Sequence, residues 1–283
     1  VRVIDAHHHV WDLAVRPQEW LDAPELAPIR RGFALAELLP HAREAGVDGT
    51  VLVQTVTVPE ETPELLALAA EREAGGLVAG VVGWTELRDP AIADTLAALR
   101  ALPGGARLSG IRHQVQGEAD PHWLLRADVQ RGLAAVAAAG LVYDLVILPH
   151  QLPAATRAAA LRPELTFVLD HLGKPPIAAG QREPWARDLR RFAALPNTTA
   201  KLSGLVTEAD WRHWTVADLR PYAEVALEAF GPGRLMAGSD WPVCTLAAGY
   251  RRVMETAATL TGGLSRAERA AVLGGTASRV YGL

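Results

Sequence analysis

The chain has 283 residues, with 28 lysines and arginines against 32 aspartates and glutamates, for a net charge of −4. Both signs are interspersed, so nothing marks a nucleic-acid surface, and no uncharged apolar run approaches the roughly 20 residues that cross a bilayer. A single cysteine, Cys244, excludes an intramolecular disulfide and suits a reducing compartment; with no secretory leader pattern at the N-terminus, the cytoplasm is the expected location.

Short β-branched runs alternate with helical patterns from end to end. Strands are predicted near 2–7, 50–54, 77–83, 108–113, 142–147, 166–170, 198–202 and 235–239. Helices are predicted near 35–45, 63–74, 90–101, 126–139, 151–161, 183–194, 216–230 and 246–261. Thr62-Pro63 and Asp89-Pro90 each set a capping side chain before a proline at the first helical position. Gly46, Gly140 and Gly231 follow helix-forming runs as C-terminal caps, and Ser265 opens a late extra helix over 264–274. Eight strand–helix units favour an α/β fold, a (β/α)8 TIM barrel in a single domain over residues 1–283. Counting alone leaves an open Rossmann-like sheet as the alternative. The longer irregular stretches, 11–34 and 172–183, both follow strands that carry histidines. In a barrel, loops after strands build the catalytic face.

The first strand ends Asp5-Ala6-His7-His8-His9. On an ideal strand Asp5, His7 and His9 share one face and His8 takes the other. Two later strands end in His171 and Asp240. Each feature alone is weak, since a His-X-His pair is usually ordinary surface or core and an aspartate after a strand often caps the next helix. Together, His7, His9, His171 and Asp240 suit one catalytic Zn²⁺, with water completing the shell. Without metal, the same histidines could polarise a carbonyl by hydrogen bonds while Asp240 takes a proton from water. Both versions describe hydrolysis of an acyl compound. No Gly-X-Ser-X-Gly elbow, Walker loop, Gly-X-Gly-X-X-Gly turn or Cys-X-X-Cys pair is present, which sets aside serine hydrolases, the usual nucleotide cradles and structural zinc.

Asp5-X-His7-X-His9, Asp170-His171-X-Gly173-Lys174-Pro175 and Gly238-Ser239-Asp240-Trp241-Pro242 resemble the amidohydrolase superfamily, in its amidohydrolase 2 branch. Gly110-Ile111-Arg112-His113, Lys201-Leu202-Ser203-Gly204-Leu205 and Thr207-Glu208-Ala209-Asp210-Trp211 are similar to the sugar-lactonase group of that branch. The resemblance implies a TIM-barrel lactonase that opens an aldonic acid lactone, of the L-fuconolactonase or L-rhamnonolactonase type. Related members imply an alternative on the same site, an aromatic-pathway dicarboxylate lactonase or a metal-dependent decarboxylase. Substrates of that kind call for clustered arginines. Many members carry a metal-bridging lysine at the end of the fourth strand, where this chain has Ile111-Arg112-His113, so at most one divalent metal is expected. The group includes members that work without one.

The expected partner is a small sugar lactone, with Arg112, His113, Trp84, Gln54, Glu208 and Lys201 as its contacts. Arg112 could bind a lactone oxygen or simply form a salt bridge at the rim. Glu208 could orient water or be an ordinary loop acid, and Lys201 could protrude into the mouth as a donor. Trp11, Trp84, Trp211, Trp214 and Trp241 cluster near strand ends, where a ring face suits a sugar, although at least half of them should only pack loops. Cys244 is expected to be buried and inert. The oligomeric state stays open.

Overall fold

The computed structural model describes residues 2–71 and 76–283. Eight strands form one sheet, paired in parallel in the order of the chain. They are β1 (Ile4–His8), β2 (Gly49–Val53), β3 (Val78–Gly83), β4 (Leu108–His113), β5 (Val142–Leu145), β6 (Phe167–Leu169), β7 (Thr198–Leu202) and β8 (Leu235–Ala237). The seam between last and first strand closes just beyond β8. There the His9 amide donates to the Trp241 carbonyl at 2.7 Å and the Asp240 amide to the His7 carbonyl at 2.8 Å. The result is the TIM barrel that the strand–helix alternation predicts, and the open-sheet alternative falls.

The surrounding helices are α1 (Leu35–Glu44), α2 (Glu61–Ala70), α3 (Ile92–Ala101), α4 (Ala127–Ala138), α5 (Leu152–Leu161) and α6 (Trp185–Ala193). They continue with the short α7 (Leu205–Glu208), then α8 (Val216–Phe230), α9 (Tyr250–Leu260), α10 (Arg266–Ala270) and α11 (Thr276–Tyr281). No helix among the described residues is long and apolar enough to cross a membrane.

Four local expectations need correction. Helix α2 starts at Glu61, ahead of Thr62, because a proline is tolerated anywhere in the first turn. Thr62 therefore caps nothing. Its hydroxyl instead accepts from the Trp84 amide at 2.7 Å and donates to the Trp84 carbonyl at 2.8 Å, pinning the helix to the end of β3. Residues 72–74 of the predicted helix lie outside the described residues. Third, the late helix does not stop at 274. Ser265 and Glu268 form the expected capping box, but after α10 a π turn over Ala271–Gly275 leads into α11. Asp89 accepts from the Ala91 amide at 2.8 Å, but this closes a turn ahead of the helix: α3 starts at Ile92 with Ala91 as its N-cap, so Pro90 is not the first helical position.

The core has two layers. Between sheet and helices lies a continuous apolar shell that includes Leu52, Val81, Ile111, Tyr143, Phe167, Leu169, Leu202 and Leu235. Inside the barrel a smaller cluster of Ile4, Ala6, Val51, Val53, Val82, Val142, Val168 and Met236 meets Ala277 and Tyr281 of α11. Large β-branched and apolar side chains fill a barrel of this size completely. Above that floor the interior turns ionic, and there the histidines sit.

Candidate active site

The first strand is not ideal. Ile4 and Asp5 pair with Gly49 and Thr50, but His8 pairs with Leu52, so β1 carries one extra residue between Asp5 and His8. A bulge of this kind breaks the alternation of faces. Ile4 and Ala6 point into the barrel, yet so does the His7 ring, which reaches Asp170 and Lys201. Asp5, expected on the face of His7, turns away. Its carboxylate accepts from the Ser239 amide at 2.8 Å, the Ser239 hydroxyl at 2.6 Å and the Tyr250 hydroxyl at 3.0 Å. That ties β1 to the segment after β8 and to α9. The expectation that Asp5 shares the site is therefore wrong, whereas His7 and His9 do meet.

His7, His9, His171 and Asp240 converge at the C-terminal end of the strands. The Asp240 Oδ1 atom lies 3.5 Å from His9 Nε2, 3.7 Å from His7 Nε2 and 3.9 Å from His171 Nε2. The two Nε2 atoms of His7 and His9 are 3.1 Å apart. The remaining ring nitrogens are held from behind. His9 Nδ1 stands 2.7 Å from the Val53 carbonyl, which only accepts, so Nδ1 carries the proton and the Nε2 lone pair faces the centre. His171 Nδ1 pairs with Ser203 Oγ at 3.0 Å. Outer partners of this kind fix ring orientation around a metal.

The backbone here is unusual. His171, Leu172 and Lys174 have φ of 52°, 52° and 55°, and Asp240 has φ of 58°, all in the left-handed region. Each such residue costs about 1–2 kcal/mol. The Lys174 amide donates to the His171 carbonyl and the Asp240 amide to the His7 carbonyl, bonds that hold the chain in place. Strain of this sort collects where a side chain has to be aimed. Gly204, with φ of 65°, allows the closest approach: a Cβ there would lie 2.5 Å from His171 Nδ1.

Beneath the histidines lies a buried ionic layer. Lys201 is fully buried, and its ammonium meets Asp144 Oδ2 at 2.6 Å, Asp170 Oδ1 at 3.0 Å and His7 Nδ1 at 3.1 Å. It is closed off in this layer rather than protruding into the mouth, contrary to expectation. The Tyr281 hydroxyl lies 2.8 and 3.0 Å from the two Asp144 oxygens, a contact from below. Burial pushes the Asp144 carboxyl up to about 6 even though Lys201 opposes the shift. For Asp170 burial acts the same way, but Lys201, His7 and Arg112 outweigh it and hold that carboxyl well below the usual range.

Arg112 and Gln54 belong to this layer as well. Arg112 Nη1 pairs with Asp170 Oδ2 at 2.9 Å, and its other nitrogens donate to the Gln54 carbonyl and side-chain oxygen. The salt-bridge reading of Arg112 holds, with the partner inside the barrel rather than on its rim. His113 stacks on Trp123 with ring centroids 4.3 Å apart, accepts from Trp84 Nε1 at 3.0 Å and pairs with Glu118 at 2.6 Å. Both of its nitrogens are taken, as is the Trp84 indole N–H. Glu208, at the end of α7, is the one of these six with no hydrogen bond to its carboxylate among the described residues. Burial and the nearby Asp240 raise its carboxyl, while Lys174 opposes them.

The electrostatics around Asp240 suit a base. Burial works to raise its carboxyl, but His171, His9 and Lys174 prevail and hold it below the ordinary value. Burial pushes His171 down to about 4 and His7 well below its usual range, so both rings are neutral at pH 7. Neutral imidazoles and an ionised carboxylate are the forms that ligate a divalent cation. His7, His171 and Asp240 each offer a ligand atom within 4.8 Å of the others, and the inward lone pair of His9 adds a fourth. The donor set fits one such ion.

Sequence reasoning passed over Asp144, Ser203 and the structural role of Asp170. The signal for Asp144 is a charge inside the apolar run Val142-Tyr143-Asp144-Leu145. The tryptophans mostly pack loops: Trp11 contacts Trp20 and Phe33, Trp241 contacts Phe33, and Trp214 donates to the Ala247 carbonyl. Cys244 is buried, as expected.

The amidohydrolase family model matches residues 4–283. The chain is 40% identical to L-fucono-1,5-lactonase from Burkholderia multivorans, over 99% of this chain and 96% of that protein. It is 38% identical to L-fucono-1,5-lactonase from Burkholderia ambifaria, over 86% of this chain and 81% of the other. A crystal structure of a Burkholderia multivorans amidohydrolase with bound zinc superposes with a TM-score of 0.92 at 40% identity, each chain covered completely. The chain belongs to the amidohydrolase family.

Proposed function

We propose that this protein is a lactonase, a carboxylic-ester hydrolase that opens a sugar-derived lactone to the free aldonic acid. The observation that carries the reading is the ring of three imidazole Nε2 atoms, 3.5 to 3.9 Å from Asp240 Oδ1. The likeness to two L-fucono-1,5-lactonases supports a sugar lactone as substrate. His7, His9, His171 and Asp240 hold one divalent metal, zinc in keeping with the related crystal structure. Bound there, the ion supplies Lewis acidity toward the lactone carbonyl.

Asp240 acts as the general base. Its ionised carboxylate takes a proton from water as the water oxygen adds to the carbonyl carbon. His7, His9 and His171, with their Nε2 atoms gathered around Asp240, would hold the ion there and so fix where the carbonyl must lie relative to that carboxylate. When the tetrahedral centre collapses, the ring C–O bond breaks and Asp240 returns its proton to the departing alkoxide. Glu208 and Lys174, whose charges are felt around Asp240, would bind sugar hydroxyls. A dicarboxylate substrate would need free guanidinium groups, and the charge of Arg112 is already taken by Asp170. The protein works on a small molecule, in carbohydrate metabolism in the cytoplasm.

A pH-indicator assay over L- and D-aldonolactones, led by L-fucono-1,5-lactone, tests the proposal. Fast acid release within one stereochemical series is the expected result. No release across the panel, or carbon dioxide release from an aromatic carboxylate, would overturn it.

A further inference from the structure

Three successive carbonyls at the end of β2 each accept from a different side chain of the mouth. Val53 takes His9 Nδ1 at 2.7 Å, Gln54 takes Arg112 Nη2, and Thr55 takes Gln114 Nε2 at 3.0 Å. A peptide group is planar, so each of these carbonyls turns with the amide that follows it. The Val53 carbonyl shares its plane with the Gln54 amide, which the sheet holds by a 2.9 Å bond to the Val82 carbonyl. Beyond that point the chain leaves the sheet, and the next two amides are held by one side chain. Both donate to Glu61, the Thr55 amide at 2.8 and 3.0 Å to its two oxygens and the Val56 amide at 3.1 Å.

Glu61 is only 3% exposed, opens α2, and takes no part in the proposed mechanism. An acid at a helix start ordinarily serves the amides of its own first turn. This one reaches back to the strand end instead. The Thr55 hydroxyl donates to the same carboxylate and accepts from Gln18 Nε2 at 2.9 Å, so the long loop after β1 hangs on the same point. Both Glu61 oxygens are thus filled by donors, an arrangement that only a carboxylate satisfies in full.

We infer that Glu61 is a positioning residue for the proposed reaction: by gripping the Thr55 and Val56 amides it fixes the two peptide planes whose carbonyls aim Arg112 and Gln114, next to the plane that aims His9. Arg112 in turn pairs with Asp170 at 2.9 Å, so a slack strand end would loosen the ionic layer beneath the histidines. The consequence for turnover rests on the lactonase reading; the grip on the strand end does not.

The test uses full-length Glu61→Leu, which removes both acceptor oxygens at similar size. Its control is Asn197→Ala, which removes bonds to the Ala159, Arg162 and Leu165 carbonyls at the opposite end of the barrel. In ¹H–¹⁵N hydrogen-exchange spectra the wild-type Thr55 and Val56 amides and the Arg112 Nε–H should be protected like the amides of β2. In Glu61→Leu all three should exchange about tenfold faster relative to the amides of β6, the scale of one lost hydrogen bond. Lactone hydrolysis below both melting transitions should show kcat about tenfold lower in Glu61→Leu and unchanged in Asn197→Ala. Full turnover by folded Glu61→Leu, equal losses in the two variants, or an unaltered Arg112 Nε–H overturns the inference. If the wild-type protein opens no lactone, the lactonase reading fails and the exchange spectra still decide the grip. If Glu61→Leu does not fold, the wild-type spectrum decides, and rapid exchange at Thr55 and Val56 overturns the inference.

Discussion

Gly204→Ala tests how closely the fold holds His171. Gly204 has φ of 65° and ψ of 4°, a conformation that costs an alanine about 1–2 kcal/mol. The added Cβ would also lie 2.5 Å from Nδ1 and 2.7 Å from Cγ of the His171 ring. Ordinary contacts begin about 1 Å farther out, so the ring has to swing away and its 3.0 Å bond to Ser203 is lost, at about another 1 kcal/mol. The total of about 2–3 kcal/mol corresponds to a drop in Tm of roughly 3–5 °C for a chain this long. Moving a reacting group by about 1 Å lowers turnover by about a hundredfold. Gly140→Ala is the internal control, because its φ is 66° yet nothing lies within 4 Å of the added carbon. It should lose only the backbone cost, about 2–3 °C, and keep full activity. Both variants are followed by circular dichroism on heating and by lactone hydrolysis. Equal losses in the two proteins, or full turnover by Gly204→Ala, would refute the steric argument.

Asp240→Asn should keep the fold and lower kcat by about a thousandfold, since the amide cannot accept the water proton; near-native turnover in a folded variant removes Asp240 from the role. The pH profile of kcat/KM should be flat through neutrality and fall only in acid. The acid limb should reach down to about pH 4, where His171 gains its proton, because Asp240 stays ionised below the usual carboxylate range. An acid limb centred near pH 6.5, the ordinary value for histidine, would show that these groups are not shifted as described. Ser239→Ala removes the hydroxyl that donates to the buried Asp5 carboxylate at 2.6 Å and should cost about 1–3 kcal/mol, read from urea unfolding. A change under 0.5 kcal/mol would mean that water replaces the hydroxyl.

Barrel class, strand order and the four converging residues were legible because each rests on a local pattern. An apolar run ending in histidine or aspartate marks both a strand and the end that faces the site. What failed was whatever depended on partners far along the chain. Ideal alternation put Asp5 beside His7, but the bulge that separates them is visible only in the register of β1 against β2. Lys201, Arg112 and Gln54 read as groups for a ligand because polar residues at strand ends are ambiguous. Only their partners, Asp144 and Asp170, show that they form a closed ionic layer. Thr62 looked like a cap because its role lies in Trp84, 22 positions away.

The seam between the first and last strands is also where the site is made. Asp5, His7 and His9 stand on one side, and Ser239, Asp240 and Trp241 face them from more than 230 positions later, joined by backbone hydrogen bonds and by the Ser239 amide and hydroxyl donating to the Asp5 carboxylate. A folding chain with most of its strands docked would hold its imidazoles with no carboxylate opposite. The contact that completes the constellation is among the most remote in sequence, and the entropy of closing so long a loop is met last. Hydrolysis during refolding would therefore report ring closure itself, with activity lagging behind the recovery of helical signal.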